Sequence, residues 1–129
     1  MQHIHKKDIE NRSDLKVLVY EFYVKIKKDE LLGSIFIKAI GNNWDAHMER
    51  VVNFWESILF HQNVYNGQPY PKHEALPIST MHFEQWLKLF YKTVDAHFMG
   101  ERANEVKTKA SGVASVFMAK LFSDGQLVI

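Results

Sequence analysis

Hydrophobic residues recur at helical spacing along most of this chain, and the pattern predicts four long helices. The first helix begins near Ser13, a favourable N-cap, and its buried stripe includes Tyr23. In the second helix, His47 occupies a position where the spacing calls for a hydrophobic residue. The third helix carries Trp86 on its inner face. The predicted helices span about 13–28, 44–61, 79–98 and 101–123.

Two segments between these helices follow the helical period less closely. Gly33 interrupts a short, irregular segment that ends at the turn Gly41–Asn43. The other segment contains all three prolines, between Pro69 and Pro77, and they enclose one histidine, His73. Because no strand is predicted, the fold class is all-α. A helix bundle and a globin are the two architectures that suit this number of helices.

Composition restricts the possible partners and the cellular location. The 129 residues suffice for one domain with a core, and 13% of them are aromatic. A net charge of only +1 gives no reason to expect nucleic acid or a membrane surface as partner. The absence of cysteine excludes thiolate metal sites. The N-terminus is polar and no apolar run is long enough to span a membrane, so a cytoplasmic protein is expected. The expected oligomeric state is a monomer.

Four polar side chains fall on faces that should be buried or half-buried: Tyr23, His47, His73 and Trp86. Taken singly, each has an ordinary interpretation as a core residue whose polar atom is satisfied nearby. Taken together they match a haem site, which needs an axial imidazole, a flat apolar slot and donors that face a bound diatomic molecule. His73 would bind the iron, and the other three would donate. The slot would be formed by Phe22, Phe36, Val51, Phe54, Trp55, Phe83 and Phe90.

Several segments also make the chain similar to a known family, the group III (P-type) truncated haemoglobins of bacteria. The similarity extends from about Leu15 to Met118, and the order and spacing of the segments both agree. The matching segments are Phe22-Tyr23, His47 followed by Asn53-Phe54-Trp55, YNGQP at Tyr65–Pro69, K-H-x-x-L-P at Lys72–Pro77 and F-x-x-W-L-K-L-F at Phe83–Phe90.

This resemblance implies a truncated globin fold, in which a two-over-two helical sandwich surrounds a non-covalent haem b. It makes His73 the proximal iron ligand. It also implies that Tyr23 and Trp86 contact the bound ligand, and that His47 gates its entry or adds a hydrogen bond. The expected organisation is a mobile N-terminal extension at 1–12, a globin domain at 13–123 and a frayed tail at 124–129.

A pocket with three donors should hold dioxygen tightly, which suits redox chemistry better than oxygen transport. The expected activities are peroxide reduction or nitric oxide oxidation, and either requires a reductase that the sequence does not identify. The alternative is a cofactor-free helical interaction module whose aromatic residues simply fill the core.

Overall fold

A computed structural model describes residues 6–60 and 80–121 of the chain, and within these ranges the fold is helical. The only pairing of strand type there is an isolated bridge between Lys7 and Phe98. None of the helices in the described part combines the length and apolar content that a membrane crossing requires. The helices are α1 Arg12–Lys28, α2 Gly33–Ile40, α3 Trp44–Phe60, α4 Thr80–His97 and α5 Glu101–Leu121.

The first helix begins slightly earlier than its sequence predicts. Asn11, not Ser13, is the N-cap, and its side chain accepts a hydrogen bond from the backbone N–H of Asp14 at 3.0 Å. The extended backbone of Asn11 suits this role. α4 begins at Thr80, as predicted, whereas the expected ends of α3 at His61 and of α5 at Ser123 lie outside the described residues.

The segment around Gly33 is a helix, which corrects the expectation of irregular structure. The carboxylate of Asp29 accepts hydrogen bonds from the backbone N–H groups of Leu31 and Leu32, at 3.0 and 2.9 Å. These bonds turn the chain directly from α1 into α2. Gly33 allows close packing at this junction, because a Cβ atom there would lie 2.7 Å from the carbonyl oxygen of Lys27.

α1 is the central element of the core, since it contacts α2, α3 and α4, while α5 packs against α4 and α3. Its inner face buries the apolar stripe that the sequence predicts. The guanidinium of Arg12 joins α1 to α3 through the side chains of Asn53 at 2.7 Å and Glu56 at 2.5 Å. Together these contacts hold the faces that carry Tyr23 and His47 against each other.

Residues 6–12 are packed against the domain, in contrast to the mobile extension expected for this part of the chain. The backbone carbonyl of Lys7 accepts a hydrogen bond from Met99 N–H at 3.0 Å, and Ile9 is fully buried. The carboxylate of Asp8 accepts the backbone N–H groups of Arg102 and Ala103, and so caps the start of α5. The polar residue Asp8 of this segment therefore caps a helix, and does not indicate a mobile chain.

Candidate functional site

A hydrogen-bonded pair, Tyr23 and His47, lies in the core between α1 and α3. The phenol oxygen and the Nε2 atom of the imidazole are 2.9 Å apart. The ring planes are perpendicular, with centroids 5.0 Å apart, and neither side chain is more than 1% exposed. The two residues predicted separately from two helices therefore form one polar unit in apolar surroundings.

Burial controls the protonation of Tyr23. It raises the pKa of the Tyr23 phenol far above its usual value, because the phenolate would be poorly solvated there. The hydroxyl therefore keeps its proton at every physiological pH. When His47 carries its proton on Nε2, that N–H donates to the phenol oxygen, and the phenol hydrogen is left for another acceptor.

Trp86 supplies a buried donor that has no acceptor among residues 6–60 and 80–121. Its Nε1 atom is buried and makes no hydrogen bond within the part of the chain that the structure describes. The ring is stacked on Phe90 at 5.4 Å and meets Phe22 edge-on at 5.3 Å. An unpaired buried donor costs about 1–3 kcal/mol of stability. The surroundings of Trp86 are therefore suited to a bound group that accepts this hydrogen bond.

Aromatic rings connect Trp86 to the Tyr23–His47 pair. Phe22 contacts Tyr23 at 5.2 Å as well as Trp86, so one ring separates the polar pair from the indole. Phe90 extends this group of contacting rings, because Trp55 stacks on it at 5.3 Å. Of the residues expected to line the slot, Phe22, Phe36, Val51, Phe54, Trp55 and Phe90 are buried, and Phe83 is half-buried against the same core.

Comparisons with known proteins identify the family to which this chain belongs. Residues 8–119 match the family model for bacterial-like globins. The chain belongs to the bacterial-like globin family. It is 37% identical over 119 residues to the Group 3 truncated hemoglobin ctb of Campylobacter jejuni, and the match covers 89% of this chain and 94% of the relative.

Among solved structures, this globin is similar to a crystal structure of the group III truncated hemoglobin from Campylobacter jejuni. The TM-score is 0.76 at 36% identity, and the match covers 86% of this chain and 91% of the other. The truncated globin fold predicted from the sequence, with its two-over-two helical sandwich, is thereby confirmed. Globins bind haem and small diatomic ligands, so membership of this family implies the same general function here.

One polar residue of this globin was not among the sequence-based candidates. Arg50 is half-buried on α3, and its Nε atom is buried without a hydrogen-bond partner in the described residues. The sequence offered one signal that Arg50 lies near the site, because it follows His47 by three residues and side chains at that spacing are neighbours on a helix. Arginine at such a position is usually solvated, so the sequence alone did not single it out.

His73 and the motifs at Tyr65–Pro69 and Lys72–Pro77 lie outside the described residues. The axial role of His73 therefore stays a prediction that rests on the resemblance and on the prolines around it. Tyr23, His47 and Trp86 are described and buried, and their role as distal residues likewise stays a prediction.

Proposed function

We propose that this globin binds haem b with His73 as the proximal ligand, and that Tyr23, His47 and Trp86 surround a dioxygen molecule on the other side. When bound, the haem supplies the iron that takes up a diatomic ligand and exchanges electrons. The observation that carries the proposal is the Nε1–H of Trp86, which has no acceptor among the described residues and lies one ring away from the Tyr23–His47 pair. A ligand oxygen would supply an acceptor for this donor.

The three donors act on the ligand in different ways. The Tyr23 hydroxyl donates a hydrogen bond to the ligand, while the His47 N–H donates to the phenol oxygen. Trp86 adds a second, rigid donor to the ligand. Each net hydrogen bond contributes about 1 kcal/mol, and the contributions combine to slow ligand release. The buried Nε of Arg50 suits an anionic group at the cofactor's edge, such as a propionate.

Slow release favours chemistry on the bound ligand over its delivery. We infer reduction of peroxide or oxidation of nitric oxide, with electrons from a cytoplasmic reductase, as the class of activity. Donors in a dry pocket polarise a bound O–O bond more effectively than donors in water. A cofactor-free interaction module is disfavoured, because it leaves the Trp86 donor and the Arg50 Nε without partners in the described part of the chain.

Absorbance and resonance Raman spectra of protein purified after haem supplementation test the proposal. We expect a Soret band for the wild-type protein and an iron–histidine stretch in its ferrous state. His73→Ala should lose that stretch and bind haem weakly, and added imidazole should restore the spectrum. His97→Ala, at the C-terminal end of α4, is the control histidine substitution and should resemble wild type. An intact iron–histidine stretch in His73→Ala would overturn the ligand assignment, and the absence of any Soret band would overturn the function.

A further inference from the structure

Trp44 contacts both members of the Tyr23–His47 pair from the outer side of the domain. It is the first residue of α3 and is half-buried. Its ring meets Tyr23 edge-on at 6.0 Å and His47 at 6.4 Å. The indole therefore restrains the two rings whose donors face the proposed ligand, although it is not part of the buried aromatic core.

A cation holds Trp44 in this position. The Nζ atom of Lys27, in the last turn of α1, lies 4.1 Å from the centroid of the Trp44 ring. Such a cation–π contact contributes modestly at an exposed site, so thermal motion can break and remake it. Because Lys27 belongs to α1 and Trp44 to α3, the contact closes the gap between these two helices.

The gap beneath this contact is a surface cleft of about 130 Å³. Tyr20 and Val24, each 46% exposed, lie at its outer side, and Trp44 and Lys27 also line it. Tyr23 lines its inner end, yet this side chain is 0% exposed. The cleft is larger than the ~30 Å³ that a water molecule occupies, so a diatomic molecule fits within it. Tyr23 is therefore the residue at which the cleft meets the Tyr23–His47 pair.

We propose that Trp44, held by Lys27, is a gate through which small uncharged diatomic ligands reach the Tyr23–His47 pair. Outward rotation of the indole joins the cleft to the pocket and frees both rings to move. Inward rotation restores the closed arrangement and fixes the donors. This inference rests on the proposed function, since it concerns the entry of ligand to the same site.

Flash photolysis of the carbon monoxide complex of the full-length holoprotein tests the gate. Trp44→Ala should raise the bimolecular association rate about tenfold, because a barrier to entry is removed. Lys27→Met should raise it roughly threefold, in line with the loss of one cation–π contact. Trp44→Phe keeps an aromatic ring there and should remain near wild type. Lys28→Met, an exposed neighbour on the same helix, is the matched control and should leave the rate unchanged.

The C–O stretching band gives a second readout that does not depend on turnover. It should broaden or split in Trp44→Ala, because the donors lose their restraint, and should stay single in Lys28→Met. Wild-type rates in both Trp44→Ala and Lys27→Met would overturn the gate while leaving the proposed function intact. Failure of the wild-type protein to bind haem or carbon monoxide would overturn both. If Trp44→Ala does not fold, Lys27→Met decides the question, because its side chain is exposed.

Discussion

At the scale of single residues, Tyr23 and Trp86 represent two kinds of buried donor. The Tyr23 hydroxyl already has a partner in His47, whereas the Trp86 N–H has none among the described residues. Helical periodicity places all three residues on inner faces, so their burial could be predicted from the sequence. Their pairing could not, because it depends on how α1 and α3 pack. Arg50 was missed for a different reason, since arginine on a helix is usually solvated.

Tyr23→Phe should lower the stability of the haem-free protein by about 1–3 kcal/mol, since it removes the buried hydrogen bond between the Tyr23 hydroxyl and His47. In the haem-bound protein it should also accelerate dioxygen release about tenfold. Urea denaturation and stopped-flow ligand displacement measure the two effects. Tyr20→Phe, on the exposed side of the same helix, is the control and should change neither. An unaltered release rate in Tyr23→Phe would remove this residue from the ligand contacts.

At the scale of elements, the junction of α1 and α2 is the feature that the sequence predicted least well. Ile35 and Ile37 are β-branched and Gly33 is a poor helix former, so local preference argues against a helix there. The side chain of Asp29 and close packing against α1 overcome that preference. The long helices were predicted well because many turns repeat the same apolar stripe.

Two glycine substitutions should have opposite effects on stability. Gly33→Ala places a Cβ atom 2.7 Å from the Lys27 carbonyl oxygen, and we expect a loss of about 1–3 kcal/mol. Gly112→Ala, within α5, meets nothing within 4 Å and should gain about 0.5–1 kcal/mol from helix propensity. Thermal and urea unfolding of the two variants provide the comparison. A neutral Gly33→Ala would show that the junction can widen without cost.

At the scale of the whole molecule, the order of short motifs predicts the globin fold. The sequence did not predict that the N-terminal segment caps α5. Asp8 caps a helix that begins more than 90 positions later, and local patterns carry no information about such a partner. Gly100 makes the approach possible, because a Cβ atom there would lie 2.6 Å from the Asp8 carboxyl carbon. The positive φ of 141° at Gly100 is also one that other residues rarely adopt.

The domain should lose stability in acid through Asp8 and Asp14. Burial opposes ionisation of both carboxyls, but hydrogen bonds from backbone N–H groups, and from Lys7 to Asp14, outweigh it and lower each pKa below its ordinary value of 3.8. The folded state therefore binds these protons less tightly than the unfolded state. The stabilisation is complete above about pH 4 and disappears as the pH falls through the lowered pKa values.

Urea unfolding at pH 7, 4 and 3 measures this dependence. Asp8→Asn should cost about 1 kcal/mol at pH 7 and should flatten the decline between pH 4 and 3. Glu84→Gln, at an exposed site in the second turn of α4, is the control and should preserve the wild-type slope. A wild-type slope in Asp8→Asn would contradict the assignment of this carboxylate.

The cap that Asp8 places on α5 also has a consequence for biosynthesis. A ribosome makes Asp8 early, but the N–H groups that it binds belong to residues 94 and 95 positions later. Asp8 must therefore stay undocked until Arg102 and Ala103 have emerged from the exit tunnel. Docking of the segment that carries Asp8 is thus a late step, which follows the synthesis of the helices between the two partners.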